Sequence, residues 1–186
     1  MPTGTTTLRP NGQSIFQGFG WSVVGTGAHW IALLTNDGDT TYSKFIKWLS
    51  YTSLLIDYDD LLDGENPPPD ENVTIDSIKI YSVVRYRSTG FPNSAKFAHG
   101  PAGWIGLFIP WSITTNYTLY SNAFTTKDGN PITVSDINSL RIGSKFNSFV
   151  SVSEGRVTQQ YVEVNWETNS TVHIKGGTVL GGCLVK

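Results

Sequence analysis

The sequence predicts an all-β chain folded as a two-sheet antiparallel β-sandwich, and three observations predict it. Runs in which residue character alternates with a period of two are frequent, the clearest being Val73–Arg87 and Thr158–Trp166. Apolar residues recurring at three and four over three helical turns are almost absent. Turn-forming clusters punctuate the chain: Pro10-Asn11-Gly12, Asp37-Gly38, Asp63-Gly64, Asp128-Gly129-Asn130-Pro131 and Glu154-Gly155. Many short strands at that spacing stack as two sheets over one core.

Taken in order, Thr5–Arg9, Ser22–Val24 and Trp30–Leu34 read as short strands. Tyr42, Phe45, Ile46 and Leu49 fall at helical spacing and predict two turns of helix. Leu54–Tyr58 returns to strand character. Asp57 to Asn72 gathers acids around Pro67-Pro68-Pro69, which cannot donate to a ladder, and so predicts an exposed loop. In Val73–Arg87 both alternating sets carry β-branched or aromatic residues, the mark of a long central strand. Trp104–Ile109, Tyr117–Tyr120 and Lys145–Val152 are weaker strands. Thr133–Leu140 predicts a short helix, with Thr133 or Ser135 as N-cap and Asp136 in the first turn. In Thr158–Trp166, Tyr161, Glu163 and Asn165 alternate with Val162, Val164 and Trp166, so one face is buried and the other wet. The expected division is a sandwich with an N-terminal arm over residues 1–167 and a β-prone extension over 168–186.

Composition bounds the function. The chain has 186 residues, 39% of them hydrophobic and 15% charged. That apolar content suits a packed core and excludes intrinsic disorder, and no stretch is apolar enough for a membrane-spanning helix. A formal net charge of -2 gives no electrostatic footprint for nucleic acid. The single cysteine, Cys183, excludes a disulfide framework, and with His29, His99 and His173 scattered a zinc site is not expected. The opening Met1-Pro2-Thr3-Gly4-Thr5 lacks a basic stretch followed by an apolar one, so no secretory leader is expected.

No catalytic residue is assigned, because neither Gly-x-Ser-x-Gly nor His-Glu-x-x-His occurs. His29 reads as a packed strand histidine and His99 as a loop residue. Clustered hard oxygens at Asp37, Asp39, Asp57 and Asp59 make calcium the one candidate cofactor, against a bland reading as turn-forming acids. Trp21, Trp30, Trp104 and Trp166 fall in apolar stretches and read as core, whereas Trp48 and Trp111 lie nearer loops, where they suit a protein interface or a glycan platform. The extension is glycine-hinged and nearly uncharged, and Val172, Ile174, Val179, Leu180 and Leu184 are its candidate interface residues. It either closes onto its own sandwich or adds a strand to a neighbouring copy.

Several segments together resemble a jelly-roll β-sandwich family found in tailed-phage virion proteins and microbial surface proteins. They are Thr7-Leu8-Arg9-Pro10-Asn11-Gly12 with Gly20-Trp21, Asp39-Thr40-Thr41-Tyr42, Ile75–Tyr81, Ile132–Gly143 and Arg156–Trp166. The resemblance implies a jelly-roll sandwich that acts in assembly, decoration or glycan contact rather than catalysis. The functional expectation is a non-enzymatic structural protein that assembles with copies of itself or coats a larger particle. Its implied setting is a tailed-phage virion, with a capsid or tail protein as partner. The alternatives are a carbohydrate-binding module, acting outside the cell or at its surface, and an extracellular filament subunit.

Overall fold

A computed structural model describes residues 2–17, 21–25, 28–35, 39–46, 53–88, 95–104, 110–147 and 153–169. In chain order the strands are β1 (Thr3–Leu8), β2 (Pro10–Gln17), β3 (Trp21–Val24), β4 (Tyr42–Ile46), β5 (Ser53–Tyr58), β6 (Val73–Ser88) and β7 (Lys96–Pro101). They continue with β8 (Trp111–Ser112), β9 (Thr118–Phe124), β10 (Thr126–Lys127), β11 (Asn130–Pro131), β12 (Arg141–Asn147) and β13 (Ser153–Thr168). Two short helices, α1 (His29–Ala32) and α2 (Val134–Asn138), interrupt them. The first sheet runs β3-β4-β13-β6-β9, with β1 paired beside β13, and the second runs β2-β5-β12-β7-β8. All these pairings are antiparallel. The chain is thus an all-β, jelly-roll-like sandwich, with two short helices among the described residues.

The two long alternating runs become its centre. β6 and β13 pair from Val73 against Thr168 to Ser88 against Ser153. Ile78, Ile80 and Val84 face Ile56, Phe97 and Ile142 of the other sheet within one apolar core, all fully buried. Each such side chain taken from water contributes roughly 1.5–3 kcal/mol. A register shift opposite Asn165 and Trp166 lets Val73 and Ile75, members of the other alternating set, also turn inward. A second register shift falls between Val157 and Gln159, and the Thr158 hydroxyl between them donates to the Thr41 carbonyl.

Several expectations need correction. Trp30–Leu34 is not a strand: Ala32 N–H donates to the Ala28 carbonyl, closing one turn that points His29, Ala32 and Leu33 inward at i, i+3 and i+4. His29 is buried as expected, but on that turn. Tyr42–Ile46 is strand, not helix, because β3 and β13 supply ladder partners on both sides. Its helical spacing arose because Tyr42 is buried on the outer face beneath the Arg156 guanidinium, 4.4 Å from its ring centroid, while Phe45 is buried on the inner one. Trp104 lies in a turn after Gly103 (φ +83°), not in a strand, and residues 105–109 lie outside the described residues.

The acidic loop is not simply exposed either. Leu61 is fully buried, Glu65 exchanges backbone hydrogen bonds with Thr7, and the Thr6 hydroxyl donates to the Asn66 carbonyl. His99 is not a loop residue but a buried member of β7. The helix expected at Thr133–Leu140 forms as α2, with Thr133 as N-cap. The Thr133 hydroxyl accepts from Asp136 N–H while the Asp136 carboxylate accepts from Thr133 N–H.

Candidate functional site

Alternation along β6 and β13 sends one set of side chains into the core and the other onto the outer face of the first sheet. Gln160, Val162 and Val164 go in; Tyr161, Glu163 and Asn165 go out. The ladder sets Tyr81 directly opposite Tyr161, Lys79 opposite Glu163 and Ser77 opposite Asn165. The two tyrosine rings stack with centroids 4.6 Å apart and planes 11° from parallel. Lys79 Nζ lies 4.8 Å from the Tyr81 centroid, and the Arg9 guanidinium lies 5.3 Å from that of Tyr161. The result is a cation–ring–ring–cation stack standing on the sheet.

Hydrogen bonds fix the surroundings. The Tyr81 hydroxyl donates to Glu163 Oε2 at 2.7 Å. Arg9 Nε donates to Glu65 Oε1 at 2.9 Å, tying the acidic loop to the stack. Along the next row Thr5 donates to Asn165 Oδ1 at 2.7 Å, and Asn165 Nδ2 donates to Ser77 Oγ at 2.9 Å. Partial burial, and then the Glu163 hydrogen bond, raise the Tyr81 phenol above its ordinary range. Burial followed by Glu163 does the same for Tyr161, while the Tyr81 contact holds the Lys79 ammonium above its own. Both hydroxyls therefore stay protonated and Lys79 charged at neutral pH, which makes the face a set of donors and acceptors around an apolar ridge.

Farther along the same face, Asp39 joins β6, β13 and the loop that precedes β9. Its carboxylate accepts from Arg85 at 2.6 and 2.7 Å, Arg156 at 2.7 Å and the Tyr117 hydroxyl at 2.9 Å. Burial acts upward on this carboxyl, but the Tyr117 and Arg156 hydrogen bonds and both arginine charges outweigh it and hold it low. Tyr117 is pushed up to about 12 by burial and by Asp39. Arg156, nearly buried, also donates from Nε to Glu154. This cluster is internally neutral, two arginines against Asp39 and Glu154, and it braces the rim of the face.

The residues singled out from sequence distribute differently. Asp39 is spent on the arginines, Asp57 lies in β5 opposite Arg141, and Asp59 accepts from Arg9 N–H at 3.0 Å. Asp37 lies outside the described residues. Among the described residues no three His, Cys, Asp or Glu side chains come close enough together to hold a metal ion. Trp111 packs inward, 5.0 Å from the His99 ring and 5.8 Å from Tyr120. Trp48, Cys183, His173 and the interface candidates Val172, Ile174, Val179, Leu180 and Leu184 lie outside the described residues. The Tyr81–Tyr161 pair is not among the site residues expected from sequence, because the two meet only through the β6–β13 register. The available signal was a tyrosine at a wet position in each of the two long alternating runs.

No protein-family model matches the chain, and no curated protein matches it. Solved structures are similar to it at the level of fold. A TmCBM61 carbohydrate-binding module in complex with β-1,4-galactotriose aligns at TM-score 0.41 and 10% identity, over 87% of each chain. The CBM22-1 xylan-binding domain from Paenibacillus barcinonensis Xyn10C aligns at TM-score 0.38 and 11% identity, over 84% of this chain and 96% of that one. A Stig cyclase from Fischerella sp. TAU aligns at TM-score 0.37 and 9% identity, over 89% and 85%. Carbohydrate-binding modules and a cyclase are among these structures, where virion proteins were expected. The tailed-phage structural reading is corrected accordingly, and one of its grounds, the extension after Glu167, lies almost wholly outside the described residues.

Proposed function

We propose that the chain is a non-catalytic carbohydrate-binding module that takes glycan on the outer face of its first sheet, over Tyr81 and Tyr161. One observation carries the reading: a stacked tyrosine pair on a wet sheet face, bordered within the next two rows of the ladder by a carboxylate, an amide, hydroxyls and an ammonium. A sugar presents C–H patches beside hydroxyls that both donate and accept, and this face offers the complement of each. Aromatic ridges supply contact area at little cost in side-chain entropy, and fixed polar neighbours supply orientation. Lys79 covers the Tyr81 ring from the surface, with its ammonium in water, so it can swing aside for a sugar ring. Such a module works outside the cell or at its surface, where polysaccharide is found.

Native electrophoresis through gels containing soluble β-1,4-xylan, β-1,4-galactan or neither tests the reading. At least one polysaccharide should retard the protein, and Tyr161→Ala should migrate as in the blank gel. A protein retarded by none of a broad glycan panel would remove the proposal.

A further inference from the structure

Among the described residues β9 ends the path of the first sheet, and its seven residues pair with β6 without a register shift, from Ile78 against Phe124 to Val84 against Thr118. Natural sheets blunt such edges with lysine, proline, bulges or brevity. The segment Thr118-Leu119-Tyr120-Ser121-Asn122-Ala123-Phe124 has no charge, no proline and no bulge. The other sheet edges differ: β1 is engaged on its far side by the Thr7–Glu65 bridge, β3 has four residues, β8 has two, and the pairing of β2 with β5 shifts register twice. Leu119, 52% exposed, is the most exposed large apolar side chain among the described residues, and it shares the outer face with Ser121 and Ala123.

We propose that β9 is a dimerisation strand that pairs antiparallel with β9 of a second copy, about a twofold axis at Ser121. That register pairs all seven residues and is self-complementary. Leu119 meets Ala123 of the second copy twice over, the small Ser121 meets itself on the axis, and no charge opposes another. Any other register shortens the ladder. The isologous contact closes at two subunits, so it builds no filament.

The dimer also bears on the tyrosine surface. An axis perpendicular to the sheet keeps both outer faces on the same side, and Tyr161, Tyr81 and Ser121 already lie in one row. The row continues through the second copy, with the two Tyr81 residues three strand spacings, about 14 Å, apart. Two sites on one continuous face would engage one polymer at high effective concentration. This last consequence rests on the glycan reading; the dimer itself does not.

Light scattering coupled to size exclusion, run on the full chain across the micromolar range, tests the pairing. Wild type should show twice the chain mass of 20.4 kDa. Ser121→Lys and Ser121→Glu should each be monomeric, weakened at least about tenfold by the like charges on the axis, and an equal mixture of the two should recover the dimer. A monomeric wild type, its edge then open or covered by another segment, overturns the proposal. So does a dimer that both substitutions leave intact, or a mixture that stays monomeric. Dimers that bind no glycan would overturn the functional reading alone.

Discussion

Ser82 Oγ lies 2.6 Å from His99 Nδ1, and this buried contact joins the two sheets through their shared core. Gln160 completes the junction. It accepts from the Tyr58 hydroxyl at 2.8 Å and donates to Ser82 at 2.8 Å and Ser144 at 2.9 Å. With Gln160 donating to it, Ser82 keeps its own proton for Nδ1, which puts the imidazole hydrogen on Nε2. Among the described residues that nitrogen has no hydrogen-bond acceptor, and it lies in a ring packed edge-to-face against Trp111.

Burial pulls the His99 imidazole down to about 3, from 6.5 when solvated. Between those values the unfolded chain binds a proton that the folded chain refuses. The stability held by the neutral ring is therefore complete above pH 6.5 and is lost as pH falls toward 3. The slope approaches about 1.4 kcal/mol per pH unit. His29, also lowered by burial, adds in the same direction. Urea unfolding at pH 7, 6 and 5 should show this decline, and His99→Gln should flatten it. An unchanged slope in the variant would remove His99 as its source.

Gln160 lies directly inside Tyr161 on β13, just as Ser82 lies inside Tyr81 on β6. Gln160→Leu strands the Tyr58 hydroxyl and two serines in the core and should cost about 2–4 kcal/mol in urea unfolding. Tyr161→Ala, on the wet side of the same strand, should cost about 1 kcal/mol or less. Equal losses would mean that the outer ring is part of the core.

Asp39 is half exposed, so its ion pairs with Arg85 and Arg156 deserve only a discounted value. Asp39→Asn should lower stability by about 1 kcal/mol at low ionic strength and by less at high salt, where screening has already weakened the pairs. A loss insensitive to salt would place the effect in the lost hydrogen bonds instead.

Gly155 leaves room for Phe146: a Cβ there would come within 2.5 Å of the ring. Phe146 is locked among Trp21, Phe45 and Phe97, with centroids 5.5, 6.2 and 5.0 Å away. Gly155→Ala should thus cost about 1–3 kcal/mol by overpacking. Adding Phe146→Leu should recover part of that loss in a double-mutant cycle, whereas strictly additive losses would show that the two positions do not interact.

The sandwich was legible because its two central strands wrote their alternation plainly; Val162, Val164 and Trp166 are buried as that pattern requires. The capping box was legible because Thr133 and Asp136 act within four residues. Where the reading failed, contacts distant in sequence decided. Tyr42 imitated helical spacing because Arg156 buries it from the far side, and His99 lost its loop character to partners at Ser82 and Trp111. The tyrosine pair is such a case: residues 80 apart in the chain meet only once the β6–β13 register is set, and period-two alternation fixes a face but not a register.

The most direct test of the glycan surface is calorimetric titration of the full chain with whichever of xylan or galactan retards it, beside Tyr81→Ala/Tyr161→Ala and Trp111→Phe. The account predicts heat from wild type and from the Trp111 variant with closely similar affinity, and none from the double tyrosine variant, folded by circular dichroism. Wild-type affinity in the folded double variant would contradict it and move the site off the first sheet.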